Sequence, residues 1–209
     1  MKNSMPELVR PEFSVKDASL LLEEHYGLCC TLKEFPGERD RNFLAQEKKG
    51  ETYVLKISNS CETLEFLQVQ HAALERSSKL LEPGRIPIVF PAKNGESLLR
   101  VSSADGSQHW MRLVRYVDGL PMAEYRPHTG EFLRELGRMC GTVTKALHEI
   151  PAPPPSHTLL WEMHNVQETL HEYLPWIKDE KLLGWVKKSL DLYSRTIEPL
   201  ESKLRRGWI

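Results

Sequence analysis

Three short apolar segments separated by tight turns restrict the fold of this chain most strongly. The segments "CCTLKEF" (29–35), "NFLAQE" (42–47) and "TYVLKIS" (52–58) have the apolar, β-branched and aromatic content that is typical of strands. The connections "PGERDR" (36–41) and "KKGE" (48–51) are short and contain proline or glycine, as hairpin turns do. These features predict an antiparallel β-meander in the first third of the chain.

Helices and further strands are predicted on either side of this meander. Ser14 has the character of a helix N-cap, and Gly27 that of a helix stop. Asn59 is predicted to cap a second helix that runs to about Leu81, because apolar residues recur behind it at helical spacing. More extended segments follow at 86–92, 96–103 and 108–117, the last two joined by the hairpin signal Asp105-Gly106.

The pattern after Pro127 is helical only. Helical periodicity covers 132–150, 162–174 and 179–205. The segment "PAPPP" (151–155) is a stiff, extended connector, and Pro199 is expected to kink or split the last helix. We therefore predict an α+β chain in two domains, a sheet-rich one over residues 1–118 and an all-helical one over residues 119–209.

Composition excludes several classes of protein. Lys and Arg number 28 against 29 Asp and Glu, which leaves no basic surface for nucleic acid. No apolar run reaches the roughly 18 residues of a membrane helix, so we expect no membrane partner. Four cysteines without a C-x-x-C pair indicate reduced thiols and a cytoplasmic location. They are Cys29, Cys30, Cys61 and Cys140.

A lysine interrupts the apolar run of the third predicted strand. Lys56 follows Val54 and Leu55 and precedes Ile57. Burying a charged side chain costs free energy unless it meets a partner. Either Lys56 points to solvent from an edge strand, or an anion lies above it, and this segment alone does not decide between the two.

The order of the segments resembles a known family. The chain resembles the aminoglycoside phosphotransferase-like kinases and, within them, the hydroxylysine-kinase-like branch. The motifs that carry the resemblance occur in the family's order over nearly the whole chain; they are "GERDRNF" (37–43), "YVLKISN" (53–59), "LQVQHAAL" (67–74), "MRLVRYVDGLPMAE" (111–124), "LGRMCGTVTKALH" (136–148) and "LLWEMHNV" (159–166). The resemblance implies a protein-kinase-like small lobe, with an antiparallel sheet and one helix, followed by an all-helical partial large lobe.

The resemblance also implies residues that bind a nucleotide. Lys56 would contact the α- and β-phosphates of ATP or GTP, and a carboxylate on the next helix would anchor its ammonium group. Glu65 is preferred over Glu62, because Glu65 shares a helix face with Gln68. The loop that covers the phosphates would consist of Gly37, Arg39, Arg41, Asn42 and Phe43. The hinge that contacts the nucleotide base would consist of Arg115, Tyr116 and Val117. A charged surface hairpin and a plain strand-to-helix connection remain the alternatives for these two segments.

The catalytic motif of such kinases is absent from this sequence. No H-G-D or H-N-D phrase occurs, and "MHNVQE" (163–168) has no aspartate beside its histidine. The last residues, "GWI" (207–209), resemble the phrase that precedes the catalytic histidine in the family. We therefore expect a chain truncated before the catalytic loop, with no catalytic or metal-binding residues of its own. Nucleotide binding would be weak, and Mg²⁺ is expected only for the complete enzyme.

Two functions follow from these observations. The first is a small-molecule kinase that phosphorylates the hydroxyl group of an amino-alcohol or a hydroxylated amino acid, in which this chain is inactive alone. The second is a non-catalytic, pseudokinase-like module that binds a nucleotide or a protein. In either case the apolar faces of the predicted helices 131–150 and 179–205 are expected to be partly exposed, which favours a homodimer.

Overall fold

One antiparallel sheet dominates the first part of the computed structural model, which describes residues 10–48, 50–151, 165–204 and 207–208. The strands of this described part are β1 Cys30–Phe35, β2 Arg41–Glu47, β3 Thr52–Ile57, β4 Val89–Phe90, β5 Leu99–Ser102 and β6 Gln108–Arg115. Their order in the sheet is β1-β2-β3-β6-β4. Strand β5 also pairs with β6 and is not part of this linear order. Every pair is antiparallel, which confirms the predicted meander and the hairpin at Asp105-Gly106.

Helices occur where the periodicity predicts them, with different ends. They are α1 Val15–Tyr26, α2 Leu64–Leu80, α3 Gly130–Leu147, α4 Val166–Tyr173 and α5 Glu180–Thr196. The cap predicted for α1 is confirmed, because Ser14 Oγ accepts a hydrogen bond from the Asp17 N–H at 3.2 Å. Gly27 ends α1 with a φ of 70°, a left-handed conformation that glycine adopts without strain. Residues 162–164 of the predicted fourth helix lie outside the described part of the chain.

The predicted cap of α2 is wrong. Thr63, not Asn59, caps this helix, and its Oγ1 accepts a hydrogen bond from the Phe66 N–H at 3.2 Å. Asn59 is buried in the preceding turn, where its Oδ1 accepts a hydrogen bond from the Cys61 N–H at 3.0 Å. An asparagine side chain can stabilise a turn as well as a helix start, so the sequence pattern did not distinguish the two positions.

Proline divides the last predicted helix. Helix α5 ends at Thr196, and a 3₁₀-helix, Glu198–Lys203, follows with Pro199 in its first turn. Proline lacks the N–H group that would continue the helical hydrogen bonds, so the predicted split is confirmed. In the described residues no helix has the length and apolarity needed to cross a bilayer.

The chain forms two compact units, Met1–Ile150 and Pro151–Ile209. The first unit contains the sheet and the helices α1, α2 and α3, and the second contains α4 and α5. The predicted lobe boundary at residue 118 falls inside the first unit, and as a boundary between kinase lobes it stays a prediction.

The two faces of the sheet differ in chemistry. One face packs on α1 in an apolar core that includes Leu22, Phe43, Ala45, Leu55, Ile57, Met111 and Leu113. Because successive side chains alternate across a strand, the residues between these belong to the opposite face. That face carries Asn42, Lys56 and Arg112 beside the apolar Val54 and Val114, so a row of polar side chains crosses the side of the sheet away from α1.

Candidate functional site

Lys56 lies on an inner strand. Strand β3 pairs with β2 on one side and with β6 on the other, so the edge-strand explanation of Lys56 is wrong. In the strand register Lys56 lies between Asn42 on β2 and Arg112 on β6. The pKa of Lys56 is lowered, first by burial and then by the positive charge of Arg112. A half-buried ammonium group in such a row is a candidate anion-binding group.

The carboxylates that act on Lys56 differ from the predicted one. Asp40 and Glu62 oppose the lowering of the Lys56 pKa. Glu65 is exposed, and among the salt bridges of the described residues none joins it to Lys56. The difference follows from the start of α2: with Thr63 as the cap, Glu65 lies in the first helical turn and Glu62 precedes the helix.

Arg112 is a buried cation that sequence reasoning missed. Its side chain is only 5% exposed, and its Nη2 donates a hydrogen bond to Gln70 Oε1 on α2 at 2.5 Å. Its Nε and Nη1 have no hydrogen-bond partner among the described residues. The pKa of Arg112 is lowered by burial, against the opposing charges of Asp40 and Glu62. The available signal was its position in the strand "HWMRLVR", where it alternates with the buried Met111 and Leu113.

His71 extends this polar group on α2. Burial, followed by the charge of Arg112, lowers the pKa of His71 to about 4, so its ring is neutral near pH 7. Its Nε2 atom is buried without a hydrogen-bond partner in the described part of the structure. A neutral histidine beside a buried guanidinium adds no positive charge to the site.

The loop between β1 and β2 reaches this row through Gly37 and Asn42. A Cβ atom on Gly37 would lie 2.4 Å from Asn42 Nδ2 and 2.6 Å from the Asp40 carbonyl oxygen, closer than such atoms can approach. Asn42 Nδ2 also donates a hydrogen bond to the Pro36 carbonyl at 2.9 Å. Glycine at position 37 thus lets the loop close tightly over Asn42, next to Lys56.

Two other residues of the predicted covering loop point away from Lys56. Arg41 donates hydrogen bonds to the Phe13 carbonyl at 3.0 Å and to Glu34 Oε1 at 2.5 Å. Phe43 is fully buried in the apolar core against α1. Both alternate with Asn42 along β2, so only their backbone could approach a ligand on the Lys56 face. Arg39 lies in the loop itself and is half-buried.

The predicted hinge follows β6. The Arg115 N–H donates to the Ile88 carbonyl at 2.8 Å, and the Tyr116 N–H donates to the Thr52 carbonyl at 2.9 Å. These two donors are therefore engaged by neighbouring backbone. The Val117 N–H takes part in no hydrogen bond of the described residues, so among the three predicted hinge residues it is the N–H that a ligand could use.

Comparison with known proteins identifies the family. The model of the phosphotransferase enzyme family, APH, matches residues 31–209. The chain belongs to this phosphotransferase family. The match includes the strand of Lys56, the strand of Arg112 and the helical second unit. A comparison with curated proteins gives no match.

Two solved structures show the same fold. An amicoumacin kinase, hAmiN in complex with AMP-PNP, Ca²⁺ and Ami, is similar over 92% of this chain and 55% of its own, with a TM-score of 0.65 and 12% identity. A microcompartment-associated aminopropanol kinase is similar over 76% of this chain and 48% of its own, with a TM-score of 0.54 and 18% identity. This member of the phosphotransferase family thus shares the kinase-like fold and spans about half the length of these structures.

Metal binding needs separate consideration in a phosphotransferase. In the ranges 10–48, 50–151, 165–204 and 207–208, no group of three or more His, Cys, Asp or Glu side chains is arranged to hold a metal ion. Asp40 and Glu62 are the carboxylates whose charges act on Lys56, and both also act on Arg112. Because both carboxylates already act on two cations, a further positive charge between them is disfavoured, and no step of a reaction is assigned to a metal held by them.

Proposed function

We propose that this chain is the nucleotide-binding part of a small-molecule kinase, which transfers the γ-phosphoryl group of ATP or GTP to a hydroxyl group. The observation that supports this most directly is the row formed by Lys56 and Arg112 on an inner part of the sheet. Two neighbouring cations shielded from water are stabilised by a polyanion, and a nucleotide phosphate chain is such a ligand in this family.

The residues of the site have distinct roles in this proposal. Lys56 contacts the phosphates, and the loop that contains Gly37 and Asn42 closes over them. The Val117 N–H donates to the edge of the base, which is supported by its lack of a hydrogen bond within the described residues. Because backbone groups rather than side chains meet the base, the site offers no evident preference between ATP and GTP.

The chemical step requires groups that this chain does not supply. In the transfer the acceptor oxygen forms a bond to the γ-phosphorus, the bond from that phosphorus to the β-γ bridging oxygen breaks, and the hydroxyl proton passes to a base. The sequence contains no H-G-D or H-N-D phrase to provide that base. We therefore expect residues 1–209 alone to transfer no phosphate. The preference for a hydroxylysine-like acceptor rests on the sequence resemblance.

Nucleotide titration of the 209-residue chain and of two matched variants tests this function. We expect weak binding of ATP, and Lys56→Met should reduce the affinity about tenfold or more, because a charged hydrogen bond to phosphate is lost. Lys33→Met, which alters an exposed side chain of the edge strand β1, should bind like the unaltered chain. Equal affinity of the Lys56→Met variant would contradict the proposed site.

A nucleotide-release assay on the same proteins tests the catalytic part, with hydroxylysine, ethanolamine and homoserine as acceptors. We expect no turnover from the 209-residue chain. If it turned over and lost this activity on Lys56→Met, the chain would contain a catalytic base that we have not assigned.

A non-catalytic binding module remains the second candidate. It is favoured by the exposed aromatic side chains of the helical unit, where Trp176 is 77% and Trp185 58% exposed. Such residues are typical of association surfaces, which would support a homodimer. The four cysteines are all free thiols, in agreement with the cytoplasmic location proposed from the sequence.

A further inference from the structure

Lys56 and Arg112 present an unusual pairing, and its explanation rests on the function proposed above. The two residues lie directly opposite each other on adjacent antiparallel strands, with their side chains on the same face. Like charges in this arrangement destabilise a sheet, and Arg112 is also almost fully buried. Packing alone therefore does not account for the arginine at this position.

The hydrogen-bond partner of Arg112 carries no charge of its own. Gln70 on α2 accepts the hydrogen bond from Nη2 through a neutral amide oxygen. Among the described residues no carboxylate accepts a hydrogen bond from the guanidinium group, and its Nε and Nη1 have no partner there. The charge of Arg112 thus continues to act on Lys56, as the lowered pKa of Lys56 indicates.

The charges around Lys56 repel it from one side and attract it from another. Arg112 lies on the β6 side and repels the ammonium group, and Asn42 lies on the β2 side. Asp40, in the loop that leads into β2, attracts it, and Glu62, before α2, attracts it to a smaller extent. Repulsion by Arg112 on β6 and attraction by Asp40 in the β1–β2 loop both favour a Lys56 side chain that points toward this loop.

We propose that Arg112 is a positioning residue for Lys56. Held in place by Gln70, it turns the Lys56 ammonium group toward the β1–β2 loop, where the nucleotide phosphates bind. Arg112 orients Lys56 by repulsion, whereas the sequence predicted that Glu65 would hold the ammonium group by attraction. Helix α2 is connected to the sheet through Arg112 rather than through Lys56, and this leaves the lysine available to the ligand.

The coupling between the two cations is measurable without nucleotide. The rate of acylation of Lys56, followed by mass spectrometry over a range of pH in the folded 209-residue chain, reports the pKa of its ammonium group. Arg112→Met should move the midpoint to higher pH and slow acylation near neutral pH about threefold or more, because the neighbouring charge is gone. The other titratable groups that face this site, Asp40, Glu62 and His71, are unchanged in that variant.

Two control variants separate this effect from loss of structure. Gln70→Glu supplies a carboxylate to Arg112 and should shift the Lys56 midpoint in the same direction with the arginine still present. Arg100→Met removes an exposed arginine of β5, which lies 4.1 Å from the Trp110 ring, and should leave the midpoint unchanged. Circular dichroism of each variant verifies that it is folded.

Nucleotide affinity completes the test. Arg112→Met should weaken ADP binding about tenfold, while Arg100→Met should not change it. If ADP binding depends on Lys56 but is unchanged in Arg112→Met, the inference is overturned and the proposed function stands. If the unaltered chain binds no nucleotide, the proposed function fails, and the acylation profile still decides whether Arg112 controls Lys56. An unshifted midpoint in folded Arg112→Met and Gln70→Glu would overturn the inference.

Discussion

The sheet unit and the helical unit bury their residues in opposite ways. In the first unit, α1 places Ala18 and Leu22 at 0% exposure against the apolar face of the sheet. In the second, none of the described residues of α4 or α5 is buried, and Trp185 and Leu192 are more than half exposed. A sheet covered by a helix forms a layered core, whereas two helices alone enclose little volume.

This difference shows where a binding site can be built. The sheet unit holds charged and polar residues, such as Lys56, Arg112 and His71, in half-buried or buried positions, which requires a rigid surrounding core. The helical unit has the reverse arrangement, with apolar residues exposed and charged residues solvated. The first arrangement suits recognition of a small anion, and the second suits association with another protein surface.

The largest expected effect comes from opening the core of the sheet unit. Leu113→Ala, at a side chain that is 0% exposed, should lower the free energy of unfolding by about 3 kcal/mol, because it loses buried apolar surface and leaves a cavity. Leu192→Ala on α5, at 60% exposure, should change it by less than about 0.5 kcal/mol. Urea denaturation of the two variants measures both values, and similar losses would remove the contrast between the units.

A pair of glycine substitutions sharpens the comparison. Gly37→Ala should destabilise the sheet unit by about 1–3 kcal/mol, because the added Cβ would meet Asn42 and the Asp40 carbonyl. Gly184→Ala within α5, where no atom lies within 4 Å of such a Cβ, should instead stabilise its unit by about 0.5–1 kcal/mol. The two changes in melting temperature should therefore have opposite signs; a stabilising Gly37→Ala would show that the covering loop does not close as described.

The pH dependence of stability should also distinguish the units. His71 has its pKa lowered from 6.5 to about 4, so the unfolded state binds its proton first. The contribution of neutral His71 to the free energy of unfolding is fully present above about pH 6.5 and is lost as the pH falls through about 4. We expect the loss to be about 1–2 kcal/mol, less than the full linkage value because the side chain is partly solvated.

Variants of two histidines isolate this contribution. The difference in unfolding free energy between pH 7 and pH 4.5 should shrink in His71→Gln. It should be unchanged in His171→Gln, which alters an exposed side chain of α4. Identical pH profiles for all three proteins would mean that His71 is not buried next to Arg112.

The smallest effect on stability, and the most direct test of the helical unit, concerns association. Trp185→Ser should change the unfolding free energy by less than about 0.5 kcal/mol, because the indole is exposed. It should nevertheless reduce the homodimer expected from the exposed apolar side chains. Light scattering at increasing concentration measures this, with Lys187→Ser on the same helix as the exposed control. A stable monomer at high concentration would contradict the predicted self-association.

Much of the fold could be predicted because its signals are local. The apolar, β-branched and aromatic content of "TYVLKIS" and the glycine and proline in the neighbouring turns identified the meander, and Ser14 and Gly27 identified the ends of α1. The cap of α2 could not be predicted in the same way, since Asn59 and Thr63 both have cap-forming side chains. The choice between them depends on the turn that Asn59 stabilises, which includes a hydrogen bond from its N–H to Asp40 at 3.3 Å.

The candidate site was only partly predictable for the same reason. The sequence by itself determined that an apolar strand carries Lys56 and that a tight glycine-containing loop precedes it, because both are properties of short segments. Only the tertiary structure decided that Arg112 lies opposite Lys56, that Gln70 holds it, and that Glu65 faces solvent. Strand register and helix phase bring together residues that are far apart in sequence. The pKa of a buried group depends on its distances in space to charged groups, and not on its neighbours in the chain.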